Sequence, residues 1–153
     1  MIHNSICGMI SIHHLQTNYS NLRNETNKKG VAYTRPLNDT ETIDIYDECF
    51  PFASEFRIDG LNQLKTINIG SNSFTQRKNG YGYDKSKSFH IMNCESLESI
   101  QIGRYSFSDF GGDFELKNLP QLQSIQIGTI GSRSCNFYYR SFVIRGIDMI
   151  LNI

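Results

Sequence analysis

Apolar residues recur at the same offsets in three successive stretches of the chain. Each stretch follows F-x-I-x-N-(C/L)-x-x-L-x-x-I-x-I-G, allowing for equivalent residues. Chance does not preserve six apolar positions three times over fifteen residues, so the chain contains an internal repeat. Stacked copies must bury their apolar sides against one another, and the repeat therefore decides the architecture. The repeated positions are Phe56, Ile58, Leu61, Leu64, Ile67, Ile69 and Gly70; Phe89, Ile91, Cys94, Leu97, Ile100, Ile102 and Gly103; and Phe114, Leu116, Leu119, Leu122, Ile125, Ile127 and Gly128.

The second half of each copy predicts a short β-strand. In L-x-x-I-x-I the last two apolar residues are two positions apart, which is the side-chain period of a strand. Ile with Ser or Thr neighbours also favours a pleated strand. One such strand per copy, paired with the next, gives a parallel sheet. The first half, F-x-I-x-N, alternates too and has no apolar stripe of helical spacing, so we expect an outer strand or irregular structure and little helix.

A glycine follows each predicted strand. Glycine adopts positive φ at no steric cost, so we expect the chain to turn there in the left-handed region. Asn72 is expected to bond turn amides through its side chain. The glycines are Gly70, Gly103 and Gly128, and the other two copies hold Tyr105 and Ile130 where the first holds Asn72.

The repeats define one predicted domain over residues 1–153, which we expect to be a fragment or open-ended. The best copies are 56–74, 89–107 and 114–132, with degenerate copies at 1–55 and 142–153. In the last of these, Ile153 aligns with Ile125. Insertions fall at one place in the unit, at 75–88 and less clearly at 129–141. Solenoids tolerate insertions confined to one position, because these bulge from one edge without breaking the stack.

Residues 64–74 read L-x-x-L-x-L-x-x-N-x-L, with Ile, Ile and Phe as apolar equivalents. The chain thereby resembles leucine-rich-repeat proteins, particularly the irregular, Phe- and Ile-rich repeats of BspA-like surface proteins. The resemblance covers residues 37–153 and is best over 56–128, although F-x-I-x-N departs from that subfamily. It implies a curved solenoid, with a parallel sheet on one face and strands or loops on the other. It also implies that the inner strand surface binds other proteins and that catalytic residues are absent.

Composition narrows the classes of partner. The formal net charge is zero, so we expect neither nucleic-acid binding nor attraction to an acidic membrane. Hydrophobic residues make up 39%, which fits a thin, elongated core, and no run approaches the 18 apolar residues typical of a membrane span. The first residues lack the basic region and sustained apolar run of a signal peptide. Four cysteines without metal-ligand spacing favour free, mostly buried thiols, which slightly favours the cytoplasm and leaves the compartment open.

No motif indicates catalysis, a metal or a cofactor. Phosphate-loop, dinucleotide-binding, nucleophile-elbow and metalloprotease signatures are absent from the sequence. His3, His13 and His14 lack a third-ligand pattern, and 108–113 (SDFGGD) lacks the order of a calcium loop and predicts a turn. Insertion 75–88 interleaves basic residues with tyrosines, as some nucleic-acid-binding segments do, but its Gly and Ser content favours a flexible surface loop.

The candidate functional residues lie between the core positions of the predicted strands. There they point away from the core and form polar columns across neighbouring copies. Such a face would be a flat, uncharged, hydrogen-bonding surface for a protein or glycan. It would equally be a solvated sheet face whose amides bond along the ladder. The candidates are Tyr46, Thr66, Asn68, Ser99, Gln101, Arg104, Tyr105, Ser124 and Gln126.

Two functions stay open at this point. The first is a non-enzymatic scaffold that binds an unidentified protein partner through this face and the inserted loops. The alternative is a structural or adhesive surface module of a longer repeat array, with glycosylation at the sequons of Asn18, Asn24 and Asn38. End-to-end self-association is expected as a further possibility, because a bare terminal repeat exposes a sheet edge.

Overall fold

The computed structural model describes residues 10–11, 30–34, 41–77, 82–129, 131–138, 143–145 and 150–152. These residues are mainly strand, and no helix occurs among them. The strands are β1 (Ile10–Ser11), β2 (Gly30–Thr34), β3 (Thr42–Ile45), β4 (Ala53–Asp59), β5 (Thr66–Ile69), β6 (Ser88–Met92), β7 (Ser99–Ile102), β8 (Phe114–Lys117), β9 (Ser124–Ile127), β10 (Val143–Arg145) and β11 (Ile150–Asn152).

Consecutive strands belong to different sheets. The first sheet has the order β1-β3-β5-β7-β9-β11, and the second sheet has the order β10-β8-β6-β4-β2. Neighbouring strands are parallel in both sheets except for β1, which pairs with β3 in the antiparallel direction. The expected parallel sheet is confirmed, and F-x-I-x-N forms a second parallel sheet.

The sequence repeat sets the register of both sheets. Ile67 pairs with Ile100, and Ile100 pairs with Ile125 in the first sheet. In the second sheet Phe89 lies between Phe56 and Phe114. Each buried side chain therefore lies beside its equivalent in the next copy, as the alignment predicts.

Burial alternates along the strands and places one core between the two sheets. In β5, Ile67 and Ile69 are buried while Thr66 and Asn68 are partly exposed. The buried residues of both sheets form a single apolar cluster. Because alternate side chains of a strand point to opposite faces, the first sheet leaves its other face to polar residues.

Phenylalanine rings form two stacks inside this core. Successive rings are stacked at 4.7–5.1 Å between centroids, which matches the spacing of adjacent strands. The two stacks meet edge to face at 5.0–5.6 Å, a geometry that aromatic quadrupoles favour. One stack contains Phe50, Phe74, Phe107 and Phe137, and the other contains Phe56, Phe89 and Phe114.

The prediction of positive φ at the glycines after the first-sheet strands holds for one of the three. Only Gly128 of the three has positive φ, at 74°. A Cβ on Gly103 would lie 2.5 Å from the carbonyl carbon of Gly70, so this position requires glycine because adjacent backbones approach closely. The left-handed residues come later in the turn, and in the second copy they are Tyr105 (φ 63°) and Phe107 (φ 57°).

In two copies a serine before the turn phenylalanine links the copy to the preceding one. Ser73 Oγ donates to the carbonyl of Tyr46 at 2.8 Å and accepts from the Cys49 amide at 3.1 Å. Ser106 Oγ repeats both bonds one copy later, to the carbonyl of Gly70 at 2.6 Å and from the Ser73 amide at 3.0 Å. These hydroxyls satisfy backbone groups that the strands leave unpaired.

A second polar ladder lies at the ends of the second-sheet strands. Gly60, Asn93 and Asn118 occupy equivalent positions with φ of 75°, 53° and 53°, and Gly and Asn are the residues that adopt this region most readily. Asn118 Nδ2 donates to Asn93 Oδ1, and Asn93 Nδ2 donates to Asp59 Oδ1, both at 2.7 Å. The N of F-x-I-x-N is thus explained by its left-handed backbone.

The third copy extends beyond its predicted end at residue 132. Phe137 stacks on Phe107 at 5.1 Å and has φ of 46°, so it takes the place assigned to Ser132. Cys135, with φ of 49°, takes the place assigned to Ile130. The extra residues lie directly after Gly128, and the insertions therefore do not all fall at one place in the unit.

The insertion 75–88 is not a free loop in its described part. The Gly82 amide donates to the Ser108 carbonyl at 3.1 Å, and the Asp84 amide donates to the Asp109 carbonyl at 2.9 Å. Lys87 forms an ion pair with Asp109 at 2.8 Å. The flexible-loop prediction is therefore wrong for residues 82–88, because they bond to the turn after β7; residues 78–81 lie outside the described part.

The degenerate copies are described only in part. β10 continues the second sheet, with Ile144 beside Leu116 as the alignment predicts. β11 continues the first sheet, but Leu151 rather than Ile153 pairs with Ile125. The three histidines of the N-terminal stretch and the three sequons lie outside the described residues.

Candidate functional site: a polar sheet face and its groove

Six of the nine candidate residues lie together on the exposed face of the first sheet, here called the polar sheet face. Two rows cross the strands in register. One row pairs Thr66 with Ser99 and Ser99 with Ser124. The other pairs Asn68 with Gln101 and Gln101 with Gln126, with Asp44 beside Asn68. Each residue alternates with a buried Ile, so the pleat directs all of them away from the core.

Some of these side chains bond to one another along the rows. Asn68 Nδ2 donates to Asp44 Oδ1 at 2.7 Å, and Ser99 Oγ donates to Thr66 Oγ1 at 3.4 Å. Both pairs are only partly buried. The alternative interpretation, a solvated face whose side chains bond to one another along the ladder, thus describes these two pairs on β3, β5 and β7.

The glutamines of this face keep more of their hydrogen-bonding capacity. Gln101 and Gln126 are exposed. Gln126 Nε2 makes a long 3.3 Å bond to the carbonyl of Gly128. A primary amide offers two donors and an acceptor, and the bonds to described residues use only part of this capacity in both glutamines, so they have groups that can bind a ligand.

An open groove of about 750 Å³ runs across the carboxyl ends of β3, β5, β7 and β9. Parallel strands end at the same edge, so four copies contribute side chains to one groove. The lining residues are Asp44, Ile45, Tyr46, Asp47, Asn68, Ile69, Gly70, Ser71, Gln101, Ile102, Gly103, Arg104, Gln126, Gly128 and Thr129.

Charge varies along the groove. Asp44 and Asp47 lie at the β3 end, and Arg104 follows β7 two strands away. Two strand spacings are about 10 Å, so carboxylates and guanidinium face different parts of a bound segment. Asp47 was not among the sequence candidates; its Oδ1 accepts the Ser71 amide at 2.6 Å, and it follows Tyr46, which takes the place of the glycines in the other copies.

The three remaining candidates lie at this strand end, but they are not equally accessible. Tyr46 is 59% exposed and lines the groove. Arg104 lies 5.1 Å from the ring centroid of Tyr105, and its Nη2 donates to the Tyr105 hydroxyl at 3.1 Å and to the Arg133 carbonyl at 3.0 Å. These bonds fix the Arg104 side chain and engage the ring and hydroxyl of Tyr105. Tyr46 is therefore the aromatic side chain best placed to contact a ligand.

Thiol chemistry is suppressed at the cysteine of the central repeat. Cys94 is fully buried and its Sγ donates to the Met92 carbonyl at 3.2 Å. Burial raises the pKa of the Cys94 thiol to about 11, because a thiolate would lose its hydration. Cys94 therefore acts as a packing residue.

Two other kinds of feature, a metal-binding cluster and a membrane-spanning helix, do not occur in the described residues. The described ranges contain no group of three His, Cys, Asp or Glu side chains close enough to hold a metal ion. They also contain no helix long and apolar enough to cross a membrane.

Comparisons with known proteins were made over the whole chain. No family model, curated protein or solved structure matches it. The resemblance to leucine-rich repeats consequently rests on the sequence motif alone.

Proposed function

We propose that the chain is a leucine-rich-repeat-type solenoid that serves as a non-enzymatic scaffold for another protein. The polar sheet face and the groove at its edge form the binding surface. The single observation that carries the proposal is the register of this face. Asn68, Gln101 and Gln126 lie side by side on adjoining strands and line one groove.

The chemistry of this face suits a protein partner. Repeat arrays use extended sheet surfaces for binding, because each copy adds side chains at a fixed spacing. Amides and hydroxyls satisfy a partner's backbone N–H and C=O groups. The exposed ring of Tyr46 supplies the kind of rigid aromatic contact that dominates binding energy at interfaces.

The rigidity of the surface supports the same function. Each strand of the polar sheet face pairs with its neighbours in the first sheet, and the turns that follow these strands are linked by the Ser73 and Ser106 hydroxyls. A surface that does not have to become ordered on binding loses less conformational entropy, and this favours affinity.

The test replaces Gln101 and Gln126 by arginine together. Both residues are exposed on the polar sheet face, so two long cations would obstruct it without entering the core. We expect proteins that the wild-type chain captures from a lysate of its source cells to be lost from the Gln101→Arg/Gln126→Arg variant. Quantitative mass spectrometry measures the loss.

The matched control makes the same change at Gln63 and Gln121. Both are exposed and lie in connections between strands, outside the polar sheet face. Circular dichroism and thermal unfolding establish that both double variants keep the fold. Partners that bind both variants as they bind the wild type would rule out this face as the binding surface.

A further inference from the structure

A lysine and an aspartate form an ion pair inside the protein, away from the polar sheet face. Lys87 Nζ lies 2.8 Å from Asp109 Oδ2, and the two side chains are only 4% and 9% exposed. Lys87 ends the insertion before β6, and Asp109 belongs to the turn after β7. The sequence motifs give no reason for this contact.

The backbone holds both residues in place. The Gly112 amide donates to the Lys87 carbonyl at 2.7 Å, and the Asp84 amide donates to the Asp109 carbonyl at 2.9 Å. A Cβ on Gly112 would clash with the Lys87 carbonyl oxygen, so the two segments are in close contact. The ammonium and the carboxylate are consequently fixed against each other.

The surroundings do not compensate the two charges fully. The ring centroid of Phe110 lies 5.5 Å from Lys87 Nζ, and Asp109 Oδ1 is buried without a hydrogen bond from any described residue. Removing an ammonium and a carboxylate from water is unfavourable unless the remaining protons and lone pairs are satisfied.

We propose that Lys87 and Asp109 become joined by an amide bond inside the folded protein. Transfer of a proton along the 2.8 Å hydrogen bond converts ammonium and carboxylate into amine and carboxylic acid. The amine nitrogen attacks Asp109 Cγ and a Cγ–Nζ bond forms. A nitrogen proton passes to the hydroxyl, the Cγ–O bond breaks and one water leaves. The reaction needs no oxidant, reductant or other reagent.

Fixed geometry is what makes this condensation feasible. Reacting groups held in a near-attack geometry reach effective molarities of about 10⁵–10⁸ M, and the 2.8 Å hydrogen bond from Lys87 Nζ to Asp109 Oδ2 keeps the nitrogen beside the carboxyl group that contains Cγ. The product also leaves fewer buried polar groups, because one N–H and one C=O replace an ammonium and two carboxylate oxygens. The amide would tie the insertion covalently to the turn after β7.

The test is the mass of the intact, purified protein. We expect folded wild-type chain to weigh one water less than its sequence, and a tryptic digest to contain a branched peptide joining Lys87 to Asp109. Chain kept in urea from synthesis onward should have the full mass and lose water only after refolding, because the pair is brought together by the fold.

Two variants check the assignment. Lys87→Met removes the amine and should have its full sequence mass. Asp109→Asn should release ammonia instead of water and yield the same linked product. Folded wild type that keeps its full mass on prolonged incubation, or a loss of water that persists in Lys87→Met, would overturn the proposal and leave the pair ionic.

Discussion

Replacing Phe107 by alanine tests whether the stacked phenylalanines hold the copies together. Phe107 is fully buried, and among the described residues its ring contacts five others: two in its own stack, at 4.7 and 5.1 Å, and three edge to face. Truncation of a buried Phe costs about 3–5 kcal/mol. The ring geometry places Phe107 at the upper end of this range, because each aromatic pair contributes about 0.5–1.5 kcal/mol beyond its buried area. We expect a loss of about 5 kcal/mol.

The melting temperature converts this loss into a measurable shift. For a chain of this size, 1 kcal/mol lowers Tm by about 2–4 °C, so Phe107→Ala should lower Tm by about 10–20 °C. Urea unfolding followed by circular dichroism gives the free energy directly. Tyr46→Ala is the control, because that side chain is 59% exposed and its removal should change stability by less than about 0.5 kcal/mol.

A second variant in the same stack makes the test sharper. Phe50 is partly exposed, and in the described residues its ring stacks on Phe74 alone, at 5.1 Å. Phe50→Ala should therefore cost roughly half as much as Phe107→Ala, since the transfer and cavity contributions fall with burial. Equal losses for the two variants, or a loss below about 1 kcal/mol for Phe107→Ala, would refute the argument from ring packing.

Three further measurements examine the turns and the buried thiol. Gly103→Ala should destabilise the protein by more than about 2 kcal/mol in urea unfolding, because the added Cβ meets backbone atoms. Gly60→Asn should be nearly neutral, since equivalent copies hold Asn and the added Cβ meets open space. Equal effects of the two substitutions would contradict close backbone approach as the reason for glycine at residue 103. Ser106→Ala removes two hydrogen bonds to backbone groups and should cost about 2–3 kcal/mol, and a change near zero would show that the hydroxyl ladder does not stabilise the turns. Burial raises the folded-state pKa of Cys94 from 9.0 to about 11, so the unfolded state loses this proton first. The contribution of the protonated Cys94 thiol to folding stability is complete below pH 9 and is lost as pH rises from 9 to 11. Cys94→Ala should therefore flatten the decline in the free energy of unfolding over this pH range. An unchanged pH profile in this variant would exclude the thiol as the source of the decline.

Sequence predicted the strands of the three best copies and the two sides of each, because a period of two and a repeat are local properties of the chain. The pairing of Ile67, Ile100 and Ile125 follows directly, since equal offsets bring equal residues into register. Each polar residue between these positions was assigned correctly to the exposed face. The polar sheet face was therefore predictable, whereas its use as a binding surface remains a prediction.

Contacts between copies were decided by the tertiary structure. The need for glycine at residue 103 arises from the backbone of Gly70, which lies 33 residues earlier and has no local signature. The place of Phe137 in the ring stack and the pair of Lys87 with Asp109 depend on irregular segments, and these carry no period from which a position could be inferred. Periodic segments can be placed from their own pattern, but an insertion takes its conformation from the neighbours against which it packs.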